Sequence, residues 1–158
     1  MVMTSVSDLV VRKDVTVRCP ADEAFRVFSE GVATWWPLET HSVGERSAKT
    51  CVIEGRVGGR FFERQEDGTE EVWGTVTAWE PPLRLAFTWY PGRPESTAQE
   101  VEVRFTPVDG GTRVELEHRG WEKLGERAEE ARNEYESGWD FVLGRYVNVI
   151  NSPSGGGA

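Results

Sequence analysis

The stretch "EKLGERAEEARNEYESGWDFVLGRYVNVI", residues 122–150, decides the fold of this chain. Apolar side chains recur in it every three or four residues, which is the spacing of one face of an amphipathic α-helix. The other face is mostly glutamate and arginine, which is typical of a solvated surface. Gly125, Gly138 and Gly144 each cost about 1 kcal/mol relative to alanine in a helix, so they permit close packing or mark bends. The stretch predicts a long C-terminal helix of about eight turns.

The sequence before this helix has the pattern of a series of β-strands. Apolar and polar residues alternate in part of "LVVRKDVTVRC" and in "LRLAFTWY", "EVEVRF" and "TRVELEH". Glycine, proline and Asp-Gly turns mark off three further strands, "KTCVIEGRV", "GRFFERQ" and "EVWGTVTAWE". The pattern predicts a sheet of about six or seven antiparallel strands. In "EVWGTVTAWE" we expect the valine side to face inward, which leaves Trp73 partly exposed on the outer surface.

Two short helical segments are predicted between the first and second strands. Pro20 precedes "ADEAFRVFSEG", in which Phe25 and Phe28 share one helical face. The stretch from Val32 to Thr50, which contains "ATWWPLETHSVGE", has no sustained period and predicts a helical turn followed by a long loop. This order of elements indicates an α+β domain whose curved sheet wraps the last helix. Such a sheet leaves a mostly apolar cavity beside the helix, and the two tryptophans of the loop could cover one end of it.

Composition limits the classes of function. The length of 158 residues fits one domain, predicted at residues 1–151, followed by a flexible Gly- and Ser-rich tail at residues 152–158. The net charge of −9 opposes binding to nucleic acid. The chain shows neither a membrane-spanning run nor a secretory signal, so we expect a cytoplasmic protein. Cys19 and Cys51 are expected to be free, buried thiols, and a single disulfide between them is the alternative that the sequence allows.

No catalytic or metal-binding motif is present in the sequence. His41 and His118 are the two histidines, and neither belongs to a spacing that binds metal, so no metal and no cofactor are predicted. Serine-hydrolase and phosphate-binding motifs are missing too. By strand alternation His118 faces the interior, where we expect a structural or ligand-orienting role. His41 lies in the loop after Trp36, either at the cavity mouth or in solvent.

Several longer strings resemble a known family. "WWPLETHSVG", "IEGRVGGRFFER", "WGTVTAWEPPLRLAFTW", "VEVRFTPVDGGTRVELEHRGW" and "GWDFVLGRYVNVI" are similar to bacterial single-domain homologues of the activator of heat-shock protein ninety ATPase. These belong to the SRPBCC, or START-like, superfamily. The resemblance covers roughly residues 10 to 150 and implies the helix-grip fold of START domains and the birch-pollen allergen, with a deep ligand cavity. It does not imply one activity, because such proteins bind lipids, hormones or polyketides, cyclise or hydrolyse them, or assist a chaperone.

The main hypothesis is therefore a binding module for a hydrophobic or aromatic small molecule, lipid- or polyketide-like. The candidate ligand-binding residues are aromatic or polar side chains that could converge on the cavity: Phe25, Phe28, Trp35, Trp36, His41, Phe87, Trp89, Phe105, His118, Tyr135 and Trp139. One alternative is an enzyme of the polyketide cyclase or hydrolase type in which His118 or Tyr135 moves protons. Another is a co-chaperone whose outer surface contacts a chaperone protein.

Overall fold

The strands form one antiparallel sheet in the computed structural model, which describes residues 9–151. They are β1 (Val11–Val17), β2 (Ala48–Ile53), β3 (Arg60–Gln65), β4 (Glu70–Glu80), β5 (Arg84–Trp89), β6 (Gln99–Val108) and β7 (Gly111–Arg119). The spatial order is β1-β7-β6-β5-β4-β3-β2, so β2 to β7 form a meander and β1 pairs with β7. The predicted strands are confirmed. Residues 1–8 and the tail predicted at residues 152–158 lie outside the described residues.

Within the described residues, three α-helices complete the fold: α1 (Ala21–Ser29), α2 (Val32–Trp35) and α3 (Ala128–Asn151). The C-terminal half of α3 is tied to the two short helices. The Tyr146 hydroxyl donates to the Ala24 carbonyl at 2.7 Å, and Arg145 Nε donates to the Trp35 carbonyl at 2.9 Å. The predicted helix-grip arrangement, a curled sheet around a long terminal helix, is thus confirmed. Within residues 9–151, no helix has both the length and the apolarity to cross a membrane.

The segment just before α3 differs from the periodic pattern. Residues Trp121–Arg127 form 3-10 turns, and Gly125 within them has φ 60° and ψ −126°. This backbone conformation is open to glycine and interrupts the helix, although the apolar spacing continues through it. Gly125 therefore marks a bend, whereas Gly138 and Gly144 lie inside the regular helix.

The core between the sheet and α3 is largely aromatic. The Trp36 ring lies 5.2 Å from Trp73, 5.7 Å from Trp89 and 5.9 Å from Trp139, measured between centroids. Phe61 joins this aromatic cluster at 5.8 Å from Trp36. Tilted and edge-to-face pairs of this kind each add about 0.5–1.5 kcal/mol beyond area burial. Aromatic side chains thus fill much of the space between the sheet and α3 in which the sequence predicts a cavity.

Trp73 corrects the predicted facing of β4. It is 1% exposed and belongs to the aromatic cluster, not to the outer surface. The register between β3 and β4 shifts here: Phe61 pairs with Gly74, whereas Phe62 pairs with Val72. One extra residue of β4 is accommodated in this β-bulge, and it is Trp73 that turns inward. Simple alternation along one strand cannot reveal such an insertion.

Candidate ligand-binding site

A pocket of about 430 Å³ opens beside α3, between the end of β5 and the loop that follows α2. One wall is the part of α3 from Glu134 to Val142. The opposite wall is formed by Thr40, His41, Ser42 and Val43 of the loop and by Pro91 and Gly92 after β5. The volume falls in the range of about 300–1,000 Å³ that is usual for small-molecule sites. The pocket lies at one end of the space between the sheet and α3, where side chains do not fill that space.

The inner lining of the pocket is made of tryptophan. Trp36, Trp89 and Trp139 all contact the pocket, and each is at most 5% exposed. Trp89 and Trp139 lie 6.0 Å apart between ring centroids, with an angle of 46° between their planes. Only a small part of each ring is exposed, so the three indoles form an apolar, aromatic inner wall that a ligand contacts along the ring edges.

Tyr135 supplies a directed polar group on the α3 wall. Trp89 Nε1 donates a hydrogen bond to the Tyr135 hydroxyl oxygen at 3.0 Å. The oxygen thus accepts from the indole, and its own O–H remains to be donated, since a phenol is both donor and acceptor. Because Tyr135 lines the pocket, a carbonyl or phenolic oxygen of a ligand is a suitable acceptor for this hydrogen.

His118 lies behind the tryptophans and does not line the pocket. Trp139 Nε1 donates to His118 Nδ1 at 3.0 Å, so the proton of the neutral ring is on Nε2, which lies 3.2 Å from Gln99 Oε1. Burial, reinforced by the positive charge of Arg93, lowers the pKa of His118 to about 3. The Trp121 ring stacks on the imidazole at 4.1 Å. A neutral imidazole enclosed in this way orients the Trp139 indole at the pocket.

His41 lies at the pocket mouth. Its ring stacks on Phe141 with 5.3 Å between centroids, and its Nδ1 lies 2.6 Å from Thr40 Oγ1. Its carbonyl accepts a hydrogen bond from Trp36 Nε1 at 2.7 Å. Partial burial lowers the pKa of His41 below the usual value of 6.5, so the ring is neutral at neutral pH. Of the two positions that the sequence left open, the structure selects the mouth.

Glu63 holds in place the loop at the pocket mouth, residues 40–44, here called the mouth loop. This residue was not identified from the sequence. Its side chain is fully buried on β3, and its Oε1 accepts from Val43 N at 2.6 Å and Trp73 Nε1 at 2.7 Å. Its Oε2 accepts from Gly44 N at 2.8 Å and Gln65 Nε2 at 3.2 Å. A signal was present, because alternation in "RFFERQ" places Glu63 on the same face as the inward Phe61.

The pocket brings together five of the eleven residues proposed from the sequence: Trp36, His41, Trp89, Tyr135 and Trp139. Phe87 and His118 lie directly behind the pocket lining, in contact with Trp89. Phe25, Phe28, Trp35 and Phe105 pack together farther along the core, with ring centroids 5.0–5.8 Å apart in successive pairs. The sequence also missed the loop residues Val43, Pro91 and Gly92 and the helical Gly138, which carry no aromatic or titratable signal.

The two cysteines are buried thiols that do not border the pocket. Cys19 and Cys51 are free and buried, as predicted. Burial raises the pKa of the Cys19 thiol to about 11 and that of Cys51 to about 12, which disfavours the thiolate. In the part of the chain from residue 9 to residue 151, no three His, Cys, Asp or Glu side chains are grouped so that they could hold a metal ion.

Comparison with known proteins places this fold in a family. Residues 18–147 match the model of the Activator of Hsp90 ATPase homolog 1-like protein family. No curated protein matches the chain. The anthrahydroquino-gamma-pyrone synthase Txn09, solved in a complex, is 35% identical over 93% of this chain and 100% of its own, with a TM-score of 0.63.

Two more distant structures share the fold alone. The Aha1 dimer protein from Colwellia psychrerythraea is 16% identical over 90% of this chain and 96% of its own, with a TM-score of 0.65. Protein MLL2253 from Mesorhizobium loti is 18% identical over 91% and 98% of the two chains, with a TM-score of 0.66. With the family model matching most of its length, this chain belongs to the Activator of Hsp90 ATPase homolog 1-like family.

Proposed function

We propose that this protein binds a flat, polycyclic aromatic small molecule of the polyketide type in the pocket beside α3. The observation that carries the proposal is the lining of Trp36, Trp89 and Trp139 with the Tyr135 hydroxyl beside it. Apolar burial contributes about 25 cal/mol per Å² to affinity, and contact with an aromatic wall adds a preference for aromatic rings. One hydroxyl donor then sets the orientation of an oxygen-bearing ring.

The charge around the pocket narrows the ligand class. Glu134 lies on the wall, and the whole chain carries a net charge of −9. These charges oppose the approach of carboxylates and phosphates. A neutral ligand with carbonyl or phenolic oxygens fits the pocket better than a fatty acid or a phospholipid. The similarity to Txn09, which is named a synthase of an anthrahydroquino-gamma-pyrone, supports this ligand class.

Ring closure of the bound molecule is a second candidate function, favoured by the same similarity and by the Tyr135 O–H. In such a reaction a phenol O–H adds across a nearby ketone C=O to give a cyclic hemiketal, which loses water to give the unsaturated ring. A pocket that holds the ketone-bearing chain of the ligand folded against the ligand's own aromatic rings raises the rate of ring closure by proximity. A hydrogen bond from Tyr135 would stabilise the negative charge that develops on the ketone oxygen.

The co-chaperone hypothesis has less support. The likeness to the Aha1 protein, at 16% identity, extends to the fold alone. Indole rings that line a pocket suit a small-molecule ligand better than a protein partner. We therefore do not propose chaperone binding.

Titration with dihydroxyanthraquinone, followed by tryptophan fluorescence and calorimetry, tests the proposed function. We expect saturable one-to-one binding by the wild-type protein. Tyr135→Phe keeps the ring but removes the donor, so affinity should fall about tenfold, the effect of one hydrogen bond of about 1.4 kcal/mol. Tyr90→Phe is the matched control, because its hydroxyl contacts Glu95 at 3.4 Å and is not part of the pocket. The absence of wild-type binding to any three-ring probe would refute the proposal.

A further inference from the structure

Gly138 lies in the middle of α3, on the wall of the pocket. Glycine is the least favourable residue in a helix interior after proline, and neither constraint that usually requires it applies to Gly138. Gly138 does not have a positive φ angle, and a Cβ atom at this position would meet no neighbouring atom within 4 Å. The glycine is required neither by the backbone conformation nor by close packing of another element.

The space that a side chain would occupy at this position is the pocket itself. Tyr135 and Val142 lie three residues before and four residues after Gly138, so the three residues follow one another along one face of the helix. All three line the pocket. The missing side chain therefore leaves a gap between the Tyr135 and Val142 side chains, where the ligand can reach the helix backbone.

We propose that Gly138 is a size-determining residue of the pocket. Its lack of a side chain lets an extended ring system lie flat against α3 with its oxygen at the Tyr135 hydroxyl. This inference rests on the proposed function and adds to it a ligand dimension: three or more fused rings need the gap, whereas two rings do not. Glycine at this position lowers the stability of the helix and enlarges the pocket.

Gly144 provides a matched control within the same helix. It is also half-buried, has no positive φ and has room for a Cβ atom, but it does not line the pocket. Alanine at either position should strengthen the helix equally, because both sites are regular α-helix with space for a methyl group. A difference in ligand binding between the two variants then reports on the pocket, not on stability.

The experiment compares Gly138→Ala and Gly144→Ala with the wild type. Thermal unfolding without ligand should show a melting temperature about 2–4 °C higher for both variants. Calorimetry with dihydroxyanthraquinone should show at least tenfold weaker binding for Gly138→Ala and unchanged binding for Gly144→Ala. Dihydroxynaphthalene, with two rings, should bind all three proteins alike. Gly138→Leu, which fills the gap, should abolish binding of the three-ring probe.

The outcomes separate this inference from the proposed function. If the wild type binds dihydroxyanthraquinone and Gly138→Ala binds it as tightly as Gly144→Ala does, the size-determining role is wrong while the binding function stands. A wild type that binds neither probe overturns both. Weaker binding of the two-ring and three-ring probes by the same factor in Gly138→Ala also overturns the size-determining role, because the gap would then not discriminate by ring number.

Discussion

Glu63 illustrates how a single buried carboxylate can shape a candidate binding site. It accepts four N–H hydrogen bonds, from Val43 and Gly44 in the mouth loop and from Trp73 and Gln65 in the sheet. A buried charge is tolerated when its lone pairs are satisfied in this way. A carboxylate is an acceptor at both oxygens, and that property joins the loop to the aromatic cluster.

Glu63→Gln should therefore destabilise the protein even though it removes a buried charge. The amide has one acceptor oxygen, so its NH2 group would face an N–H donor and leave it unsatisfied. We expect the free energy of unfolding in urea to fall by about 2–3 kcal/mol. Glu66→Gln is the control: Glu66 is exposed and pairs with Lys49 at 3.5 Å, an interaction worth about 0–1 kcal/mol. Equal losses in the two variants would contradict this role for Glu63.

At the level of elements, the start of α3 depends on Gly125. Its φ of 60° and ψ of −126° lie in a region that side chains with a Cβ avoid at a cost of about 1–3 kcal/mol. Gly125→Ala should lower the free energy of unfolding by that amount, whereas Gly144→Ala should raise it. Urea unfolding of both variants measures the difference. Stabilisation by Gly125→Ala would mean that the helix continues unbroken through this position.

The same two features show how far elements can be predicted from the sequence. Alternation and helical period identified the strands and α3, because burying one face imposes those periods on the sequence. They failed at Trp73 and at the start of α3. A β-bulge depends on how the partner strand pairs, here at Phe61 and Phe62, and not on the bulged strand alone. At Gly125 the apolar spacing continues while the backbone does not.

The composition of the site was easier to predict than its extent. The aromatic residues were identified as a group, and Trp36, Trp89 and Trp139 do line a pocket. Which aromatic side chains fill the core and which border open space is decided by three-dimensional packing, which spacing along the chain does not encode. Gly138 shows the limit clearly, since the role proposed for it rests on the absence of a side chain.

For the whole molecule, acid has two opposing effects on stability. As the pH falls toward the isoelectric point near 4.8, the net charge of −9 approaches zero. This loss of negative charge relieves repulsion in the folded state. Protonation of His118 acts in the opposite direction. Its pKa is about 3 in the folded protein and near 6.5 when exposed, so between these values the unfolded chain binds a proton that the folded protein excludes. Stability due to this group is complete above pH 6.5 and is lost as the pH falls.

Replacing His118 by glutamine should separate the two effects. The amide oxygen can still accept from Trp139 Nε1, but the group no longer titrates. Between about pH 6 and pH 4.5, wild-type stability should fall relative to His118→Gln by about 1.4 kcal/mol per pH unit. Carboxylates such as Glu70, whose pKa is lowered from 4.5 by hydrogen bonds from Arg60 and Arg64, contribute below this window. Urea unfolding across the pH series measures the slopes, and parallel curves for the two proteins would show that His118 is accessible to protons in the folded state.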